Sequence, residues 1–452
     1  LTKQLSLEDK IQNAGGVLNM LRASNYGPPV FPGIPPEFTS WRDEQRSWRN
    51  SVCLLELSYH MTELHIRGAD AKKFVSQFAS NRMDNLVPMR GKQLVLSDET
   101  GYLVSDCIMF CEADDFLRIA GPPTASNWLQ FHAENTDLNI EVTRNENMII
   151  PRERRDVFRF QLQGPNALDL VREVADDGLP EIKFFHIGEF NIAGHTVRAL
   201  RHGMAGKPGF EIYGPWDALQ AVRAKVEEVG ARYGLRKAGS LAYATTGQES
   251  GWMARPLPAI YTGDHNKSFR EWLPAKSFEG NASIGGSLVV NDVSEVFVEP
   301  YELSYGKMVN FDHDFVGRDA LMARKTNART KVTLELNSDD VFRVMKDSII
   351  KKRPRTKFIS LPIAHYATFQ CDSIMLNGNR IGQSHMACFS TNAGAMLTTA
   401  LVENDVAEIG REVILLWGDG YSHSSAAEGH EMAEIRAKIM PVPYFEKEIK
   451  RD

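Results

Sequence analysis

The sequence predicts an α+β fold: two similar α+β stretches followed by a β-rich terminal part. Three observations carry this reading. Strand-like alternation, a glycine turn and helix-spaced apolar residues occur in that order near 64–79 and again near 158–175, as a duplicated unit would show. From about residue 331 the texture changes to short strand-like runs and turns, with no long helix expected between them. No GxGxxG or GxxxxGK sequence stands where a dinucleotide or phosphate loop needs one, which argues against a doubly wound sheet.

The bulk numbers bound the function. At 452 residues the chain exceeds a single core and should form two or three domains. A net charge of -6 and a pI of 6.1 argue against a general nucleic-acid binder, while leaving room for a local basic pocket. The basic run Lys351, Lys352, Arg353 and Arg355 reads as a solvated loop. No basic-then-apolar leader and no apolar stretch of about 18 residues occur, so the expectation is a cytoplasmic protein with no membrane partner. The five cysteines, odd in number and scattered, fit reduced thiols. Cys107 and Cys111 do not make a metal pair, because a closed site needs three or four converging ligands. No metal is predicted.

Each element follows from its residues. A short helical start leads into Tyr26-Gly-Pro-Pro-Val-Phe-Pro-Gly-Ile-Pro-Pro36, which cannot run as helix and is expected to lie extended over the body, as packing or as a pocket wall. Leu64 and Ile66 alternate with charged neighbours as a strand. Gly68 turns the chain, and Phe74, Val75 and Phe78 mark a helix that Asp70 is placed to cap. Gln93–Leu96, Ile108–Phe110 and Phe116–Ala120 read as strands. Phe158, Phe160 and Leu162 repeat the alternation, Gly164 turns, and Ala167, Leu168, Val171 and Val174 mark a helix. Leu219, Val222, Val226 and Val229 stripe a later one. Beyond 331, strands are expected at Lys331–Leu336, Lys357–Leu361, Asp372–Ile374, Gly382–Ser390 and Val413–Trp417.

Several polar residues interrupt this apolar grammar. Glu211, inside Phe210-Glu-Ile212, is either the outward face of a strand or a buried acceptor; its fork of oxygens matches a ring amide beside an exocyclic amine. Gln161 could supply a complementary amide. Asp106 either orders the turn before it or meets a ligand. From composition alone His60 reads as a satisfied core histidine, though imidazole can donate or accept near neutrality, and Tyr243 as a core tyrosine. Trp252 and Tyr261 read as packing or as flat covers for a ring.

Ordered phrases along most of the chain then decide among these alternatives. Val52-Cys-Leu-Leu-Glu-Leu-Ser-Tyr-His-Met61, Gly101-Tyr-Leu-Val-Ser-Asp106, Gln163-Gly-Pro-Asn-Ala167, Gly209-Phe-Glu-Ile-Tyr213, Glu249-Ser-Gly251 and Phe315-Val-Gly-Arg-Asp-Ala-Leu321 resemble the glycine-cleavage T-protein aminomethyltransferase family. Trp48-Arg-Asn-Ser51, His202-Gly-Met-Ala-Gly206, Leu257-Pro-Ala-Ile-Tyr-Thr-Gly263 and Phe311-Asp-His-Asp-Phe315 are similar to its branch of tetrahydrofolate-dependent aryl O-demethylases acting on vanillate, 3-O-methylgallate or syringate.

The resemblance implies a three-part folate-binding fold with a C-terminal barrel-like domain. Its parts are a packed extension at 1–50, a first α+β region at 51–150, a second at 151–330 and the β-rich domain at 331–452. It implies tetrahydrofolate as cofactor and a methoxylated hydroxybenzoate as substrate. Gln161, Glu211, Asp106 and Trp252 are then expected around the folate. His60, Phe31 and Tyr26 are expected around the arene, with Tyr243 and His60 catalytic. Two departures matter. Ser105 stands before Asp106 where T-proteins carry a second aspartate, and Tyr243 stands where they carry arginine, as in the demethylase branch. Phe31, where vanillate-acting relatives have tyrosine, favours a second methoxy group over a second hydroxyl. Arg118 is close in sequence but strand alternation does not aim it, so the partner of the substrate carboxylate is left open.

Overall fold

The computed structural model describes residues 4–28, 31–146, 155–324, 328–352, 354–364, 366–420 and 429–447. Three sheets organise the described residues. A five-stranded sheet runs in the order Arg90–Ser97, Leu103–Ala113, Phe116–Gly121, Thr62–Arg67, Glu141–Glu146. A six-stranded sheet runs Leu235–Lys237, Val52–Glu56, Val157–Gln163, Gly209–Pro215, His195–Arg201, Ile187–Ile192. The strand Val52–Glu56 therefore sits in the sheet of the second α+β stretch, antiparallel to Val157–Gln163. The chain crosses from one sheet to the other between Glu56 and Thr62, and His60 lies on that crossing.

Both predicted strand–glycine–helix passages are present, as Thr62–Arg67 with Ala71–Ser76 and Val157–Gln163 with Ala167–Val174. In the second, the period-2 pattern works as the pleat requires. Phe158, Phe160 and Leu162 enter a core with Leu170, Val171, Val222 and Val226 of the covering helices. Arg159, Gln161 and Gln163 occupy the opposite face and are also buried. Asp70 does not cap its helix with its side chain; Oδ2 accepts from the Asn139 amide at 2.9 Å instead, which ties two loops together.

Near the C-terminus, Phe369–Leu376, Glu412–Trp417, Ala433–Met440, Arg329–Leu336, Ala395–Glu403 and Asn379–Ser390 pair in sequence, and Asn379–Ser390 pairs back to Phe369–Leu376, closing a barrel. Two expectations fail here. Lys357–Leu361 is not a strand: the Tyr366 hydroxyl donates to the Phe358 carbonyl at 2.6 Å and accepts from the Ser360 amide at 3.1 Å, so a side chain takes the place of a neighbouring strand. A helix also interrupts the barrel, Ser338–Ile349, capped where the Asn337 side chain accepts from the Asp340 amide and anchored by buried Val341 and Val344. Its start signal, Asn337 before two aspartates, was present in the sequence.

The N-terminal segment ties these parts at the site. The helix Trp41–Asn50 places Trp48 to donate to Glu249 at 3.1 Å and Gln45 to donate to Thr245 and to the Phe389 carbonyl of the barrel, both at 2.9 Å. Ahead of it, the proline-rich loop forms no helix or strand and turns at Pro32-Gly33, where the Ile34 amide donates to the Phe31 carbonyl at 3.4 Å; Pro29 and Val30 lie outside the described residues. It docks on the turn before Tyr243. The amides of Ser240 and Leu241 donate to the carbonyls of Pro35 and Pro36, and a Cβ on Gly239 would stand 2.2 Å from the Pro36 oxygen. Only glycine lets the two backbones approach this closely.

Among the described residues no helix is long and apolar enough to cross a membrane, and no group of three His, Cys, Asp or Glu side chains could hold a metal ion. Lys351 and Lys352 of the basic run are exposed, while Arg353 lies outside the described residues.

Candidate active site

Two clusters of polar side chains meet behind the N-terminal loop. The first is built on Tyr243, which ends the one-turn helix Ser240–Tyr243, and on His60 of the inter-sheet crossing. The His60 Nε2 and the Tyr243 hydroxyl are 2.9 Å apart. Phe31 closes the corner, edge-on to both rings at centroid distances of 5.0 and 4.7 Å. Burial, and secondarily the charge of Arg255, pushes the imidazole down to about 3, so His60 is neutral at physiological pH. Burial raises the Tyr243 phenol far above its ordinary range, so it keeps its proton. The pair is a hydrogen bond between neutral groups, and the second ring nitrogen of His60, Nδ1, is buried without a partner. Tyr26 of the same loop is 40% exposed, and the Ser283 hydroxyl donates to its carbonyl.

The second cluster lies on the polar face of the six-stranded sheet. Glu211 is directly opposite Gln161 in register and only 3% exposed. It is not on the outward face of a strand, because that face of the sheet is itself interior. Arg159 Nη1 holds one Glu211 oxygen at 2.5 Å and His202 Nε2 holds the other at 2.6 Å. Burial alone would raise the Glu211 carboxyl, but Arg159 and His202 outweigh it and keep the group ionised.

The pairing continues outward. Arg159 also binds Glu63 at 3.0 Å, Glu63 binds Arg118 at 2.7 Å, and Arg118 binds Glu112 at 3.0 Å. These groups alternate in sign and join the two sheets, as buried ions must if they are not to remain uncompensated. Arg118 therefore serves this chain of ion pairs. Gln161 donates to the His202 carbonyl at 3.0 Å, while its Oε1 is buried and unpaired, as is Nε2 of Gln163.

Asp106, on Leu103–Ala113, collects three donors on one oxygen: Tyr305 at 2.5 Å, Gln93 at 2.8 Å and Trp252 at 3.2 Å. Burial raises its carboxyl and these donors oppose the rise. Trp252 is 37% exposed and lines a cleft toward the barrel with Arg255, Gln370 and His385. Tyr261 is core: it is 1% exposed and donates to the Glu279 carbonyl.

Of the residues singled out from sequence, His60, Tyr243 and Phe31 come together, as do Gln161 and Glu211, and Trp252 meets Asp106. Sequence reasoning missed Arg159, His202, Tyr305 and Arg255. His202 lay inside a matched phrase, Tyr305 in the further family-like pair Tyr305-Gly306, and Arg159 stood at the polar position of a recognised strand. Nothing in the sequence marked Arg255.

Comparison with known proteins gives the family and the fold. Residues 8–255 match the model of the GCVT N-terminal domain. The chain belongs to the GCVT family. Across 444 residues it is 39% identical to the syringate O-demethylase of Sphingobium sp. (strain NBRC 103272 / SYK-6), covering 97% of this chain and 96% of that relative. It is 27% identical over 438 residues to the sesamin methylene transferase of Sinomonas sp. (strain No.22), covering 92% of each. Among solved structures, the glycine cleavage system aminomethyltransferase T from Bartonella henselae superposes with a TM-score of 0.62 at 17% identity, over 94% of this chain and 95% of that one. The expected T-protein fold, with its closed C-terminal barrel, is thus the fold of this GCVT member.

The folate that GCVT membership implies can be tested against the wall itself. A pterin edge offers amide and amine donors and an acceptor. The buried Oε1 of Gln161, the ionised Glu211 with lone pairs beyond those Arg159 and His202 occupy, and the unpaired Nε2 of Gln163 present the complementary set. The residues fit the group.

Proposed function

We propose that this chain is a tetrahydrofolate-dependent aryl O-demethylase. It moves a methyl group from a methoxylated hydroxybenzoate, syringate first among them, to tetrahydrofolate and releases the demethylated phenol with 5-methyltetrahydrofolate. The observation that carries the reading is the neutral His60–Tyr243 pair, 2.9 Å apart and edged by Phe31, beside the Gln161–Glu211 wall. The syringate O-demethylase likeness over 97% of the chain supports the same chemistry. Five buried, unbridged cysteines fit a reducing cytoplasm.

Glu211 and Gln161 would hold the pterin, Asp106 would orient its acceptor side and Trp252 would cover it. Bound tetrahydrofolate supplies N5 as the methyl acceptor. His60 and Tyr243 act on the other reactant. With Nε2–H donating to the Tyr243 oxygen, His60 Nδ1 accepts from the substrate's phenolic hydroxyl. The Tyr243 proton is then free for the ether oxygen. As the methyl–oxygen bond breaks, its electron pair stays on that oxygen, and Tyr243 donates to the growing phenolate. Because its phenol is held far above the ordinary range, Tyr243 is present as a donor at every working pH. The rest of the rate comes from holding the two reactants in line.

Anaerobic incubation of syringate, vanillate and 3-O-methylgallate with tetrahydrofolate tests this. Demethylated arene and methylated folate should appear in equal amounts. Tyr243→Phe should lower kcat by roughly 100- to 1000-fold while folate affinity holds. Formaldehyde without methylated folate would overturn the mechanism. No turnover by a folded protein that binds folate would point to a different methyl donor.

A further inference from the structure

A benzoate that presents its hydroxyl and methoxy groups to His60 and Tyr243 carries its carboxylate at the far end of the ring. That end needs a cation with capacity to spare. Arg118 and Arg159 are committed to Glu63, Glu112 and Glu211. Arg49 approaches Glu249 and stacks on Phe445, and Arg270 is paired with Glu8.

Arg255 differs from all of these. It is half-buried, lines the cleft beside Trp252, and has no hydrogen bond or ion pair to any other described residue. It also stands within electrostatic reach of the His60–Tyr243 corner. Its charge acts on His60, on Tyr243 and on Tyr26 of the N-terminal loop. Burial pulls the guanidinium down to about 10, with Tyr243 and Tyr26 opposing that pull, so the group remains a cation at neutral pH. A desolvated guanidinium with no counter-charge is unfavourable unless a ligand supplies the anion.

We propose that Arg255 is the carboxylate anchor of the substrate site, so that the enzyme selects methoxylated benzoic acids over their neutral counterparts. This rests on the demethylase reading above and adds the residue that sets its substrate class. The guanidinium offers a planar fork of donors that matches a carboxylate with two parallel hydrogen bonds. Arg255 binds and positions; it takes no part in the bond that breaks.

The test is the preference for syringate over its primary amide, measured as the ratio of kcat/KM values in wild type, Arg255→Gln and Arg255→Lys at saturating tetrahydrofolate. Wild type should prefer the acid. In R255Q, kcat/KM for the acid should fall roughly 10- to 100-fold, mostly through KM, with the amide nearly unchanged. R255K should recover part of the loss. Equal losses for acid and amide would show a merely structural role and overturn the proposal. So would an acid preference that survives R255Q intact.

Should wild type turn over neither compound, the demethylase reading fails by itself, and calorimetric binding of 3,5-dimethoxybenzoate against 3,5-dimethoxybenzamide still decides Arg255. Tighter binding of the acid that vanishes in R255Q sustains the anchor, and no difference removes it.

Discussion

Along the Glu211–Gln161 wall, every charge has an answer: Glu211, Arg159, Glu63, Arg118 and Glu112 alternate in sign and each is held by at least one buried partner. At the arene corner the rule is reversed, since Arg255 pairs with no described residue and His60 leaves Nδ1 open. The wall is buried and the corner's His60, Phe31 and Arg255 are half-buried, but exposure alone does not set them apart. Saturation does. A satisfied set in low dielectric is stiff, because moving any member leaves another ion uncompensated. An unsatisfied set is receptive, because an incoming ligand completes it. The wall's paired charges therefore hold its shape, while the open Gln161 Oε1 and Gln163 Nε2 beside them, like His60 Nδ1 at the corner, are left to meet a ligand.

The sharpest way to break this contrast is to remove one member from each side. Arg159→Met strips a shared cation from Glu63 and Glu211 at once, at a position 1% exposed. Loss of one partner of a buried pair costs about 3–5 kcal/mol, because the carboxylates left behind are unpaired. Urea unfolding should show a loss of that size, with folate binding lost as well. Arg255→Gln orphans no carboxylate and should unfold close to wild type. Equal stability losses in the two variants would erase the distinction between wall and corner.

The pH dependence sharpens it from the corner's side. His60 is held neutral by burial first and by Arg255 second, its imidazole pushed down to about 3. The sign follows from proton counting. The unfolded chain binds the His60 proton below about 6.5, whereas the folded chain refuses it until about 3. This contribution to stability is therefore complete above the unfolded value and lost as pH falls between the two. Activity should carry no mark of it near neutrality. Between pH 6 and 8 the kcat/KM for the arene should vary by less than about threefold from His60 titration. An acid limb near the ordinary imidazole pKa that vanishes in His60→Asn would show the ring titrating in place, and the neutral pair would have to be abandoned.

How much of this was legible in the sequence follows the same division. The strands that build the wall were readable, because Phe158, Phe160 and Leu162 alternate and Phe210-Glu-Ile212 continues the pattern. What the pattern could not say is that the second face is also interior. Alternation reports two faces, and only the packing of one sheet on another decides which of them meets water. Arg159 was therefore invisible as a site residue although its strand was recognised.

In the barrel, strand runs were found but the Ser338–Ile349 helix was missed, because a run of β-rich texture outweighed a good cap at Asn337. Lys357–Leu361 had strand-like composition, yet Tyr366 supplies hydrogen bonds to it from six and eight residues on. The corner was legible only through matched phrases. His60, Phe31 and Tyr243 are separated by 29 and 183 residues, and no local pattern brings them together.

The mildest expected effect concerns Phe31, whose ring meets both His60 and Tyr243 by its edge. The wall it offers has no hydrogen-bonding atom, so a second methoxy group can rest there without stranding a donor. A hydroxyl there would instead go unpaired against that methyl group, or pair with the free hydroxyl of a 3-O-methylgallate. Phe31→Tyr should therefore move the ratio of kcat/KM for syringate over 3-O-methylgallate toward the latter by roughly 3- to 10-fold, with vanillate between them. Competition between the two arenes in one vessel reads the ratio directly. The backbone docking of this loop on Ser240 and Leu241 involves Pro35 and Pro36, so the substitution should leave the Tyr243 turn in place. A ratio that stays put while both rates fall would mean that Phe31 shapes the His60–Tyr243 pair rather than the substrate, and that selectivity at this corner rests on Arg255 alone.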